Sequence, residues 1–348
     1  MGAPRPSSAC SPGPPLSAEP FPPRLARTSP ELPLLAVSSA EGCWITDTTG
    51  RRYLDWLAGI GVCNLGHRHP AVLAAARAQE ERHLHVMVYG EYVQEAQAAL
   101  AARLAALAPF PAAEVYFTSS GAEAIEGALK LARKRTGRPR FAAFEDAYHG
   151  GTFGAFSLGN PAAMRAPYEP LLDVERMPFG EEAALSRIDG RIAAVVVEPI
   201  QAEGGVRVPA DGFLPALRHR CDETGALLVF DEVQTGLGRT GTLWAGEHAG
   251  VVPDVLVLAK ALGGGFPLGA FLAPAPLMAA LADGPPLTHL TTFGGHPVSC
   301  AAGLAALEVT IADNLPRRAR ALGDELRKAL GALVGRGGLR AVRGRGLL

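Results

Sequence analysis

The sequence predicts an α/β protein: a mostly parallel central sheet in a large domain, joined to a smaller α+β domain. Three observations carry this. Five short apolar runs, 115-VYFT-118, 141-FAAF-144, 193-AAVVVE-198, 226-ALLVFD-231 and 255-VLVLAK-260, alternate with helical stretches such as 122-AEAIEGALKLARKR-135. Strands that are apolar throughout are buried on both faces, as in a βαβ sheet covered by helices. Several of these runs end in polar residues, namely Ser119 and Ser120, Glu198, Asp231 and Lys260. Ligands of such sheets gather at the carboxyl ends of strands, so these residues are the first candidates for chemistry.

Taken in order, residues 1 to 33 are rich in Pro, Ser and Ala without periodicity, a composition expected to stay disordered. From Gly42 to Leu57 apolar and polar residues alternate around Asp47 and Gly50, which predicts a β-hairpin or small antiparallel unit. Residues 34–85 are accordingly read as the N-terminal part of a small domain, and 86–312 as the large α/β domain. An amphipathic helix is predicted over 316–333, and 339-LRAVRGRGLL-348 reads as the start of a strand. Residues 313–348 would thus begin a C-terminal small domain that the chain does not complete.

With 48% apolar and 19% charged residues, the 348-residue chain can bury a large core. A net charge of -1 with interspersed signs gives no long-range attraction to nucleic acid or an anionic membrane, which points to small-molecule chemistry. No apolar run reaches the ~20 residues that span a bilayer, and the N-terminus lacks a charged-then-apolar signal pattern. The cysteines at 10, 43, 63, 221 and 300 are scattered and never form a CxxC pair. They read as reduced thiols, and the expected compartment is the cytoplasm.

Lysine occurs only at 130, 134, 260 and 328, so arginine carries nearly all positive charge. Lys130, Lys134 and Lys328 lie in polar helical stretches and read as solvated. Lys260 instead ends an apolar strand and precedes 263-GGGFPLG-269, whose glycines let backbone approach a bound group. A strand-end lysine can simply reach its ammonium to water. In a chain where arginine does most basic work, it invites a chemical reason, because arginine does not readily form an imine. Asp231 precedes Lys260 by 29 positions on another strand end. Its carboxylate could pair with a pyridinium nitrogen, or Asp231 or Glu232 could cap the next helix. Ser119, Ser120 and Gly121 form a turn into a helix whose N-terminus could hold a phosphate; GxGxxG and GxxxxGK[ST] are both missing, against a dinucleotide or P-loop nucleotide. Tyr148 and His149 offer rings that could stack on a heteroaromatic group or simply pack. The histidine pairs 67/69 and 83/85 lack accompanying ligands, so no metal is expected.

Together these segments resemble the class III pyridoxal-phosphate aminotransferases, the family of ornithine, acetylornithine, putrescine and related ω-aminotransferases. The resemblance runs from about Leu35 to Leu348. It is strongest in 222-DETGALLVFDEVQTGLGRTG-241 and 253-PDVLVLAKALGGGFPLGA-270, with support from 195-VVVEPIQAEGG-205, 117-FTSSGAEA-124, 64-NLGHRHP-70 and 290-LTTFGGHP-297. It implies the type I pyridoxal-phosphate fold, with pyridoxal 5'-phosphate as a Schiff base on Lys260, which would also shuttle a proton. Asp231 would hold the pyridine nitrogen, Gln234 the ring hydroxyl, and Tyr148 would stack on the ring. Ser120, Gly121 and Ala122 would bind the phosphate, with Thr292 reaching it from the partner of a homodimer with shared active sites. His149 and Glu198 would support the cofactor, while Glu203 and Thr291 would face the substrate.

The implied reaction moves an amino group from an ω-amine or amino acid, ornithine- or acetylornithine-like, to a 2-oxo acid, expected to be 2-oxoglutarate. Two departures stand out. The arginine that grips the α-carboxylate in ornithine and acetylornithine enzymes is replaced by Gly151. The arginine that binds the 2-oxoglutarate carboxylate would lie beyond Leu348. The alternatives are an aminomutase using the same Lys and Asp, a catalytically silent dimerising remnant, and a Rossmann oxidoreductase, which the missing glycine fingerprint disfavours.

Overall fold

The computed structural model describes residues 35–88, 92–159 and 161–348, together with residues 26 and 28. Apart from those two positions, the leader expected to be disordered lies outside the described residues.

The alternating segment near the N-terminus forms a three-stranded antiparallel sheet of β1 (Val37–Glu41), β2 (Trp44–Asp47) and β3 (Arg52–Leu54). Asp47 closes the β2–β3 turn: its Oδ1 accepts from the Thr49 and Arg51 amides at 2.8 and 3.0 Å. An aspartate that bonds the backbone two residues on stabilises such a turn.

The larger sheet holds β4 (Ala113–Thr118), β5 (Arg140–Phe144), β6 (Val174–Met177), β7 (Ile192–Val197), β8 (Leu227–Asp231), β9 (Val255–Leu258) and β10 (Gly269–Pro274). Their order is β4-β10-β9-β8-β7-β5-β6. From β9 to β6 every pairing is parallel, whereas β10 runs antiparallel to both β9 and β4. The expected mostly parallel sheet is therefore present, with one reversed strand. The reversal follows from the short link 259–268, since a parallel crossover needs a dozen or more residues.

Apolar side chains fill both faces of this sheet. On one face, the helix Gly121–Thr136 buries Ala124, Ile125, Ala128, Leu129 and Ala132, the stripe expected from the sequence. Gly127 lets this helix lie directly on β10, since a Cβ there would come within 2.2 Å of the Phe271 ring. On the other face Phe144, Phe213 and Phe230 are fully or almost fully buried. Burial on both sides explains why these strands read as unbroken apolar runs.

Two readings need correction. The C-terminal helix spans Leu315–Gly331, close to expectation, but residues 339–348 form no strand. Leu347 instead donates its amide to the Arg239 carbonyl at 2.9 Å, and the segment follows a loop that pairs with no strand among the described residues. Strand β9 ends at Leu258, and Lys260 opens a 3-10 turn over Lys260–Gly263 with a left-handed φ of 49°. That conformation is costly for a residue with a Cβ, and its persistence at a cavity wall marks a position fixed by its surroundings.

Candidate active site

The carboxyl ends of β4, β5, β7, β8 and β9 converge on a cavity of about 460 Å³, within the range of small-molecule sites. Ten of the twelve residues singled out from the sequence line it: Ser120, Gly121, Ala122, Tyr148, His149, Glu198, Glu203, Asp231, Gln234 and Lys260. Thr291 and Thr292 do not, and Thr292 is exposed on the surface. Val62, from the N-terminal segment, and Val233 complete the apolar wall without having been expected. Val233 lies on the turn between Asp231 and Gln234, whereas nothing in the local pattern around Val62 signals its position.

Ser120 is the N-cap of the helix Gly121–Thr136. Its hydroxyl accepts from the Glu123 amide at 3.2 Å, while Glu123 Oε2 accepts from the Ser119 amide at 2.8 Å. This is a variant of the capping box. It leaves the first-turn amides of Gly121 and Ala122 beside the cavity, at a helix end suited to an anion. The turn is set by a close approach to β10, because a Cβ on Gly269 would lie 2.3 Å from the Ser120 carbonyl oxygen.

Asp231, at the end of β8, is held from two sides. His149 Nδ1 donates to its Oδ2 at 2.7 Å, and the Val233 amide donates to its Oδ1 at 3.1 Å. Both side chains are essentially buried. Burial alone would depress the His149 imidazole, but its hydrogen bond to Asp231 and the charges of Asp231 and Glu198 outweigh that and raise it. Among the described residues His149 Nε2 has no hydrogen-bond partner. Glu198 follows β7, and its carboxyl oxygens accept from the Tyr148 and Ala202 amides at 3.1 and 3.0 Å. Burial pushes this carboxyl up to about 7, although nearby His149 opposes the shift.

The capping alternative weighed for Asp231 and Glu232 falls on Glu232. Glu232 turns away from the cavity and accepts from the Ala245 and Gly246 amides at 2.6 and 2.9 Å. Asp231, held by His149 and the Val233 amide, instead lines the cavity.

Lys260 Nζ donates to Gln234 Oε1. Burial lowers this amine from its ordinary range, against the pull of Asp231, Glu203 and Glu198. A lysine depressed in this way carries more of the neutral, nucleophilic amine at neutral pH. Among the described residues no group of three His, Cys, Asp or Glu side chains could hold a metal ion.

These features fit pyridoxal phosphate. The helix-end amides suit its phosphate, the buried Asp231 carboxylate braced by His149 suits a ring N–H, Tyr148 offers a flat face, and Lys260 offers an amine. The class-III aminotransferase family model matches residues 25–348. The acetylornithine aminotransferase of Methanopyrus kandleri is 45% identical over 310 residues, covering 88% of this chain and 78% of the relative. That of Mycobacterium tuberculosis is 47% identical over 319 residues, covering 91% and 78%. A PLP-bound amine transaminase from an uncultivated Pseudomonas species superposes with a TM-score of 0.87 at 31% identity, covering 94% of this chain and 84% of that one. The chain thus belongs to the class III aminotransferases, enzymes that use pyridoxal phosphate to transfer an amino group between a small-molecule donor and an oxo acid.

Proposed function

We propose that this chain takes its amino group from the terminal amine of an ω-amine or ornithine-like amino acid and delivers it to a 2-oxo acid, with 2-oxoglutarate the expected acceptor. The observation that carries this reading is the charge of the cavity. Asp231 and Glu203 line it beside the buried Glu198, whose carboxyl is raised to about 7, and, among the described residues, Lys260 is its one Lys or Arg side chain. Gly151 leaves open space where the ornithine-type enzymes are expected to carry an arginine. Such a wall favours a donor that enters with its cationic amine foremost and carries any carboxylate at the far end.

In this reading Lys260 is the covalent anchor of the cofactor and moves a proton at its Nζ. Asp231, kept in place by His149, accepts the ring N–H. Gln234, which contacts Lys260 directly, bonds the ring hydroxyl, and Tyr148 covers the ring. The Gly121 and Ala122 amides, with Ser120, receive the phosphate. Bound pyridoxal phosphate supplies the electron sink that makes loss of the donor's proton feasible. Glu203 faces the incoming amine. Thr292, exposed on its own chain, supports a homodimer in which it reaches the partner's phosphate site, with Thr291 beside it facing the substrate.

The test is borohydride reduction of the cofactor-loaded protein followed by peptide mass mapping. The added mass is expected on the peptide carrying Lys260, and Lys260→Ala should hold no reducible cofactor. Donor consumption that depends on 2-oxoglutarate then establishes intermolecular transfer. Turnover without any acceptor would refute it.

A further inference from the structure

We propose that Cys63, His67 and Asp55 form an activated-thiol site, distinct from the cofactor cavity, at which Cys63 is covalently modified by small, soft electrophiles. The geometry is that of nucleophile, base and orienting acid. Cys63 Sγ lies 3.6 Å from His67 Nδ1, and His67 Nε2 lies 2.7 Å from Asp55 Oδ2. The remaining oxygen of Asp55 accepts from the Leu57 and Ala58 amides, both at 2.9 Å. The nucleophile–base–orienter relation is the general sign of an activated side chain.

The tautomer follows from these contacts. Burial would raise the Asp55 carboxyl, but the hydrogen bonds from His67 and the two amides outweigh it and hold it below its ordinary value. An ionised carboxylate can only accept, so His67 must carry its proton on Nε2. Nδ1 then presents its lone pair to the Cys63 thiol.

Burial pushes the Cys63 thiol up, and the Asp55 charge adds to this against the opposing Arg239. The resting group is therefore the neutral thiol, and His67 removes the proton as the sulfur attacks. With iodoacetamide the Sγ–C bond forms, the C–I bond breaks, iodide leaves with the bonding pair, and the thiol proton passes to His67 Nδ1.

The environment separates Cys63 from the other described cysteines. Cys221 and Cys300 are buried, with thiols pushed up to about 12 by burial. Cys43 is exposed and has no corresponding base among the hydrogen bonds of the described residues. Cys63 is half-buried, which admits a small reagent. Its backbone is fixed by the preceding turn, where Ala58, Gly59, Ile60 and Gly61 all have left-handed φ and the Cys63 amide donates to the Ala58 carbonyl at 2.8 Å. Its neighbour Val62 lines the cofactor cavity, whereas Cys63 itself lines a separate small cavity with Leu65, Leu237 and Leu262.

The test is the rate of carbamidomethylation of the cofactor-loaded enzyme by iodoacetamide, followed by peptide mapping, with Cys43 as internal reference. At pH 7.5 Cys63 is expected to react about tenfold faster than Cys43 despite its lower exposure. Asp55→Asn keeps an acceptor for the Leu57 and Ala58 amides but turns a donor toward Nε2, moving the imidazole proton to Nδ1. It should slow Cys63 about tenfold or more and leave Cys43 unchanged, as expected when the orienting acid of a triad is lost. Should Asp55→Asn not fold, His67→Gln read against Cys43 carries the same comparison. Cys63 reacting no faster than Cys43, or an unchanged Cys63-to-Cys43 ratio in either variant, overturns the proposal.

Discussion

Replacing Gly269 by alanine tests the assignment of the phosphate-binding turn without touching any residue that would contact the cofactor. Gly269 pairs with Thr118 across β4 and β10. The added methyl would lie 2.3 Å from the Ser120 carbonyl oxygen and 2.5 Å from Thr118 Oγ1, two atoms that already meet in a 2.9 Å hydrogen bond. To reach the 3.4 Å of ordinary contact, the Ser120 backbone must withdraw by about 1 Å. Overpacking of this kind costs about 1–3 kcal/mol of stability. The larger effect falls on the cofactor, because the same displacement carries the Gly121 and Ala122 amides out of register with the phosphate. A misplacement near 1 Å can cost on the order of 10²-fold in a preorganised site. Gly269→Ala should thus weaken pyridoxal-phosphate binding by roughly that factor, read by titrating the apo-protein and following the cofactor absorbance. If the variant unfolds earlier but binds the cofactor within threefold of wild type, the Ser120 turn is not the phosphate seat.

Two further outcomes follow from buried groups. Burial raises the Glu232 carboxyl to about 7, whereas in the unfolded chain it returns to an ordinary carboxyl range near 4.5. Between those values the native state holds a proton that the unfolded state has lost, so stability falls as pH rises from about 4.5 to 7, by about 3 kcal/mol if Glu232 acts alone. Glu232→Gln should flatten that slope in urea unfolding of the apo-protein, and an unchanged slope would assign the shift elsewhere. Phe271 on the reversed strand is fully buried and stacks on Tyr116 with ring centroids 5.0 Å apart. Phe271→Ala should cost about 3–5 kcal/mol, measured by the same unfolding experiment, and a loss below 1 kcal/mol would mean that the helix Gly121–Thr136 collapses into the gap.

The parts of the fold legible in the sequence are those where one physical cause dominates. Strands β5, β7, β8 and β9 are buried on both faces, so their apolar runs stand out. The small antiparallel sheet shows its alternation because its strands are only partly covered. Strand β6, Val-Glu-Arg-Met, is short and at the sheet edge, with two half-buried charged residues, and gives no such signal. β10 was hidden by the glycine-rich stretch that runs into it, and its reversal depends on a link length that matters only once β9 is placed. Residues 339–348 have strand composition but, among the described residues, no strand to pair with, and a strand exists only by pairing.

In the candidate site, Lys260 and Asp231 were legible because each interrupts an apolar context at a strand end. The division of labour between Asp231 and Glu232 was not, since adjacent carboxylates look alike until one of them meets the amides of Ala245 and Gly246. Thr291 and Thr292 rest on resemblance alone, being on a loop away from their own cavity.

The reversed strand also bears on when β4 and β10 can pair as the chain is made. β4 stands at the edge of the sheet with β10 as its one neighbour there, and the two are separated by some 150 positions in the chain. During synthesis, β4 and the helix that follows it emerge early but find no hydrogen-bonding partner in this sheet until residue 274 has left the ribosome. The Ser120 turn, positioned by β10, is therefore among the last parts to take shape. A nascent chain can build its parallel strands β5 to β9 first, and acquires its cofactor seat only when β10 slides between β9 and β4.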